Sequence, residues 1–217
     1  MILKAIVFDL DGTLLDTLDD LTASVNHMLA QFGDPARSRE FVRQAVGNGV
    51  RNLIVRALPG GEDAARVDES LAVFRAHYSE HLDVKTAPYP GVTDLLRTLK
   101  AAGIRIGVVS NKYDGAVAKL CERHFGDLVD VAAGEKPGVR RKPAPDSTLM
   151  AMDLLGAEAE HTLYVGDSDV DVETAHNAGL KCVAVSWGFR PRESLVAAGA
   201  DAVIDEAAQF LDAVRTL

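Results

Sequence analysis

Short aliphatic, β-branched runs recur along the chain, and between them apolar positions return every three or four residues. The runs are Ala5–Phe8, Arg105–Val109, Val129–Ala132, Thr162–Val165, Cys182–Val185 and Ala202–Ile204. Parallel strands buried on both faces have this unalternating composition. The stretches between them, Val92–Ala102, Asp114–Arg123, Asp146–Leu155, Val170–Ala178, Arg192–Ala198 and Glu206–Arg215, have the spacing of amphipathic helices. Gly126, Gly156, Gly179 and Gly199 stand where such helices stop. The alternation predicts an α/β fold, a doubly wound, Rossmann-like parallel sheet with helices on both faces.

The rhythm breaks between residues 15 and 87. Only helical patterns occur there, at Leu18–Phe32, Ser38–Ala45, Val50–Leu58 and Ala64–Leu82, before Pro88-Tyr89-Pro90-Gly91 returns the chain to the sheet. We therefore expect a core of residues 1–14 and 88–217 interrupted by an all-helical cap of residues 15–87. Two short linkers would suit such a cap to act as a lid over strand ends. The alternative is that these helices pack on the sheet within one domain.

Composition narrows the partners. Among 217 residues, 23 Lys and Arg face 32 Asp and Glu, a formal charge of −9. This argues against nucleic acid or anionic membrane, both of which need clustered cations. No apolar run reaches the roughly 18 residues that cross a bilayer. Met1–Leu10 is apolar enough to resemble a signal peptide, but Asp9 and Asp11 interrupt it. Cys121 and Cys182 match no metal-ligand or redox spacing and read as reduced thiols, which makes the chain cytoplasmic in expectation.

The densest chemical signal is Asp9-Leu10-Asp11-Gly12-Thr13, at the end of the first apolar run. Carboxylates two apart in extended chain point the same way, and their mutual repulsion calls for a cation. A second acidic cluster, Gly166-Asp167-Ser168-Asp169-Val170-Asp171, follows another run. In a parallel sheet both fall at the carboxyl edge, where open α/β sheets bind ligands. All-oxygen ligation fits Mg²⁺ better than zinc. Asp167 is the better ligand candidate, Asp171 is placed to support from behind, and Asp169 reads as a helix cap. Ser110 and Asn111, with the N–H groups leading into the next helix, can hold phosphate oxygens, although capping alone would also explain Ser110. Lys142, in a proline-stiffened loop, is a partner for phosphate and for a carboxylate nucleophile, or else a solvated surface charge.

These four motifs, in this order, resemble the haloacid dehalogenase superfamily of phosphatases, and within it the phosphoglycolate phosphatase group. The resemblance runs over essentially the whole chain. It implies that Asp9 is a nucleophile forming an aspartyl-phosphate and that Asp11 is the acid/base. It implies further that Mg²⁺ is held by the Asp9 carboxylate, the Asp11 backbone carbonyl and Asp167, with Asp171 behind, and that Ser110 and Lys142 hold the phosphoryl group. Gly47-Asn48-Gly49-Val50-Arg51 resembles the cap loop of that group, with Arg51 forking onto a substrate carboxylate or, alternatively, only solvated at a helix start. Lys112 is a further candidate for that carboxylate, and Trp187 is expected to pack under a loop. The expected partner is a small phosphorylated metabolite, with monomer and homodimer both open. A sugar phosphomutase shares the core motifs. A phospho-aspartate receiver shares the acids, hydroxyl and lysine, but has no use for Asp11 or a lid.

Overall fold

Ala5–Phe8 (β1) are buried without exception, and a short segment, Leu15–Asp16 (β2), follows. The chain then runs through four helices, Leu18–Gln31 (α1), Arg39–Ala45 (α2), Val50–Ala57 (α3) and Ala64–His81 (α4), before Ala87–Pro88 (β3). Beyond this, strand and helix alternate: Val92–Ala101 (α5), Arg105–Tyr113 (β4), Asp114–Phe125 (α6), Val131–Glu135 (β5), Asp146–Leu155 (α7) and Thr162–Gly166 (β6). Asp169–Asn177 (α8), Lys181–Val185 (β7), Arg192–Ala197 (α9), Ala202–Ile204 (β8) and Phe210–Thr216 (α10) complete the chain. This computed structural model describes residues 2–47, 49–60 and 63–217.

The chain divides into two units, Met1–Leu15 with Pro88–Leu217, and Asp16–Ala87. In the larger unit six parallel strands are ordered β5-β4-β1-β6-β7-β8. β1 sits at the centre because its four residues have two faces to bury. Ala5 and Val7 join Ala151, Met152 and Leu155 of α7 and Val172 and Ala175 of α8 in one apolar layer. Phe8, of the opposite parity, meets Phe210 of α10, with ring centroids 6.4 Å apart. The order turns between β1 and β6, so the crevice beyond their carboxyl ends is the fold's natural ligand position.

β4 runs to Tyr113, four residues further than its apolar run, and it slips register against β5 between Val109 and Tyr113. Ser110 and Asn111 therefore lie inside a bulged strand and not at a helix start, and Ser110 caps nothing. The capping expectation for Asp169 also fails. Ser168 is the N-cap of α8, its side chain accepting from Asp171 N while the Asp171 carboxylate accepts from Ser168 N. A Ser three residues before an acid is the better cap signal because both partners are satisfied at once. β5 is displaced two residues or more from the expected 129–132, and the last helix starts only at Phe210, after a turn at Ala207–Gln209.

In the smaller unit Asp20, on α1, is buried and accepts the N–H groups of Val84, Lys85 and Thr86 at 2.9–3.0 Å, together with Thr86 Oγ1 at 2.8 Å. One carboxylate thus ties the segment after α4 back to the first helix. His27, His77 and His81 stack in a row across α1 and α4, neighbouring centroids 4.0 Å apart. Among the described residues no helix is long and apolar enough to cross a membrane.

Candidate active site

Asp9 is the first residue past β1, and its N–H donates to Val165 O of β6 at 2.8 Å. Asp167 is the first residue past β6, and Asp171 sits one turn into α8. The pairing of β1 with β6 brings these chain-distant acids together: carboxylate oxygens of Asp9, Asp167 and Asp171 lie within 4.8 Å of one another, all three residues buried.

Lys142 enters the same pocket from the loop after β5. Its Nζ is 2.7 Å from Asp171 Oδ1, 2.9 Å from Asp9 Oδ1 and 3.1 Å from the Tyr164 hydroxyl. Its basic neighbours are drawn to the surface instead, Arg140 by Asp146 and Arg141 by Glu135. Asn111 fixes the loop: its Oδ1 accepts Lys142 N at 3.0 Å and its Nδ2 donates to Lys142 O at 3.1 Å. Asn111, expected on phosphate, thus acts on the lysine backbone. Burial alone would lower the Lys142 pKa, but Asp171 and Asp9 outweigh it and hold the ammonium well above its ordinary value.

The acids do not share equally in this compensation. Both Asp171 oxygens are engaged, Oδ1 by Lys142 and Tyr164, Oδ2 by Asp167 N, Ser168 N and Ser168 Oγ. Asp9 Oδ1, by contrast, is buried without a hydrogen-bond donor, its contact with Lys142 being an ion pair that lacks hydrogen-bond alignment. Asp167 accepts from Thr13 Oγ1 at 3.2 Å and Phe189 N at 2.6 Å. Burial, reinforced by the Asp171 charge, pushes the Asp9 carboxyl from 3.8 up to about 7 against the pull of Lys142. Burial, then Asp171 and Asp9, drives Asp167 well above its ordinary value. Three carboxylates and one ammonium leave a formal charge of −2, which a divalent cation cancels. An all-oxygen donor set with a buried oxygen that accepts no hydrogen bond, Asp9 Oδ1, fits such an ion; Asp167 accepts only one hydrogen bond at each oxygen and keeps a lone pair for it, and Asp171 supports them.

Gly12 keeps this space open. Its φ is +87°, and a Cβ there would stand 2.3 Å from Asp167 Oδ2. Asp11 is not one of the three clustered acids, and both its oxygens accept from Lys112 Nζ at 2.7 and 2.8 Å. Ser110 is buried, its Oγ accepting Lys112 N at 3.3 Å. Trp187 donates its indole N–H to Thr13 O at 3.0 Å, as packing against a loop requires. Arg51 belongs to the helical unit and pairs there with Asp68, while Asn48 lies outside the described residues. Cys121 and Cys182 are buried free thiols, the former pushed up to about 12 by burial.

Sequence reasoning gives Tyr164 no role and names Thr13 only as part of the first motif. Tyr164 is the one hydroxyl-bearing aromatic in an otherwise apolar strand, a position at which a buried OH must find a partner, and that is its available signal.

The geometry has counterparts in known proteins. The chain is 37% identical to a phosphoglycolate phosphatase of Pseudomonas putida, over 94% of this chain and 76% of that one. It is 33% identical to an N-acetylmuramic acid 6-phosphate phosphatase of Pseudomonas aeruginosa, over 98% and 95% of the two chains. A crystal structure from Lactobacillus delbrueckii subsp. bulgaricus, provisionally described as a phosphoglycolate phosphatase, superposes with a TM-score of 0.94 at 36% identity, covering 99% of both chains. The family model for haloacid dehalogenase-like hydrolases matches residues 6–185. With most of its length and all four motif segments inside that match, the chain belongs to the haloacid dehalogenase-like hydrolase family.

Proposed function

We propose that the chain is a Mg²⁺-dependent phosphomonoester hydrolase that carries the phosphoryl group on Asp9, with 2-phosphoglycolate as its substrate. The observation that carries this reading is the buried, donorless Asp9 Oδ1 beside Asp167 and Lys142. A carboxylate nucleophile divides hydrolysis into two easier displacements. Asp9 attacks phosphorus while Asp11 protonates the departing alcohol oxygen, and Asp11 then takes a proton from the water that frees Asp9. Lys142 and the Ser110 hydroxyl neutralise and orient the phosphoryl oxygens. The Asp9 and Asp167 carboxylates and the Asp11 carbonyl would hold Mg²⁺, which would supply charge neutralisation at the phosphoryl group when bound. Substrate choice we assign to the helical unit of residues 16–87, with Arg51 its candidate.

The substrate is tested by a panel of phosphate esters at saturating Mg²⁺. We expect kcat/KM for 2-phosphoglycolate to exceed that for N-acetylmuramic acid 6-phosphate and hexose phosphates by about 100-fold or more, the preference a polar site achieves when its charged groups are matched. A second reading, hydrolysis of a phosphorylated amino sugar, draws on the relative whose full length this chain nearly spans. Reversed ranking in the panel would select it, and interconversion of hexose phosphates without release of inorganic phosphate would select a mutase.

Ion binding has a stability signature. Because Asp9 is pushed up in the fold to about 7, the metal-free protein gains stability from this group below its unfolded value near 4 and loses it as pH rises through 7. Mg²⁺ at 100 times its Kd should then add about 2.7 kcal/mol at pH 8, or roughly 5–11 °C in Tm for a chain of this size. Protons compete, so half-saturation should need at least about tenfold more Mg²⁺ for each pH unit below 7. Calorimetric scans with and without Mg²⁺ at pH 8 and 6 measure this; equal shifts at both pH values would remove Asp9 from the ion.

A further inference from the structure

Lys112 is buried in the core unit, its Nζ bonded to both oxygens of Asp11, its stem only 5% exposed. An ammonium gripping both oxygens of one carboxylate fixes that carboxylate's direction as well as its place. The backbone is arranged for the grip. β4 bulges across Ser110–Lys112, and Ser110 Oγ accepts Lys112 N inside the bulge. On β5, Gly134 makes room for it: a Cβ there would stand 2.5 Å from both Lys112 O and Asp114 Cα. Gly134 N also bonds Asp114 Oδ1 at 2.9 Å, pinning the far side. A regular strand would need neither the glycine nor the slip.

From this we infer that Lys112 is a positioning residue, which acts through Asp11 by aiming its carboxyl group at the ester oxygen and makes no contact with the substrate. The inference rests on the reading of Asp9 as nucleophile and Asp11 as proton carrier. In the first displacement the Asp9–phosphorus bond forms, the phosphorus–alkoxide bond breaks and the Asp11 proton ends on the alcohol. In the second the water oxygen bonds phosphorus, its proton passes to Asp11 and the bond between the Asp9 oxygen and phosphorus breaks, releasing inorganic phosphate and restoring the Asp9 carboxylate. An alkyl phosphate needs the Asp11 proton in the first displacement. 4-Nitrophenyl phosphate does not, because its leaving group is stable as an anion.

The test is the pre-steady-state rate of Asp9 phosphorylation in Lys112→Met, Lys112→Arg, Asp11→Asn and the double variant Asp11→Asn/Lys112→Met. With the alkyl phosphate turned over fastest, Lys112→Met should slow phosphorylation ~100-fold, the effect of a misaimed group, and leave KM within about threefold. With 4-nitrophenyl phosphate the loss should stay below about fivefold, and Lys112→Arg should recover at least about tenfold with the alkyl ester. Adding Lys112→Met to Asp11→Asn should change the 4-nitrophenyl phosphate burst by less than about twofold, as residues acting as a unit do. That pair removes both members of the Lys112–Asp11 ion pair together and keeps the test decisive even if Lys112→Met alone does not fold. Equal losses for both esters, additive effects in the double variant, or a KM rise confined to carboxylated substrates would overturn the inference. If Asp9→Asn still turned over, the parent reading would fall instead.

Discussion

Asp9→Asn is expected to lower turnover by about 10⁵-fold or more, the scale seen when a covalent nucleophile is removed, and to abolish the acid-stable burst of labelled phosphoenzyme. The same substitution should make the metal-free protein more stable. Asp9 is buried and pushed from 3.8 to about 7, so keeping it ionised at pH 8 costs the fold at most about 4 kcal/mol. Asparagine keeps the shape without the charge. Lys142 retains its bond to Asp171 at 2.7 Å, so the lysine is not orphaned by the change. A gain of about 1–3 kcal/mol in urea at pH 8, shrinking towards pH 5 where Asp9 is already protonated, is the expected result. A variant that is both inactive and destabilised would show that Asp9 serves the fold and would end its assignment as a group held ready for chemistry.

Lys142→Met should produce the opposite stability change. It leaves Asp9 and Asp171 buried side by side without their cation, and removal of one partner from such a cluster costs about 3–5 kcal/mol. For a chain of this size that is roughly 6–20 °C in Tm. The Lys142 pKa is held above its ordinary value, so the ammonium stays charged and does not itself titrate between pH 6 and 9. The variant's deficit should nevertheless shrink as pH falls towards 7 and level off below it, because Asp9, no longer lowered by Lys142, takes its proton above 7 and the repulsion fades. Activity should fall about 10³-fold with loss of a charge that stabilises the phosphoryl group. Because the two residues share one pocket, Asp9→Asn added to Lys142→Met should restore part of the lost stability, a coupling of about 1 kcal/mol or more. Melting temperatures that differ by less than about 2 °C between Lys142→Met and the parent protein would contradict this account.

The sheet is legible in the sequence because β1 and β6 are covered on both faces, which leaves no polar position to confuse with a surface strand. The acids are legible for a related reason: Asp9 and Asp167 directly follow those strands, so their place at the sheet edge comes with the strand assignment. β4 outruns its apolar pattern because its last residues, Ser110-Asn111-Lys112-Tyr113, are polar or half-exposed, and their extension is held by a bulge and by Gly134 on another strand. The duties of Lys112 and Asn111 are hidden for the same reason. Each acts on a residue far away in the chain, Asp11 in one case and the Lys142 peptide in the other, and no local pattern encodes such a pairing. Asp169 looks like the cap because it is the more acidic choice, whereas the reciprocal Ser168–Asp171 bonds decide the matter.

The central place of β1 sets the order in which the protein can be completed on the ribosome. Its two neighbours in the sheet are β4 and β6, made long after it. At about 5–20 residues per second, the interval between synthesis of residue 9 and residue 167 is on the order of ten seconds. Throughout that time the first strand has no partner on one side, and Asp9 has no Asp167 beside it. The helices of residues 16–87, whose contacts are local in sequence, need not wait. A chain terminated before residue 167 therefore carries Asp9 without the acid that stands beside it in the complete fold.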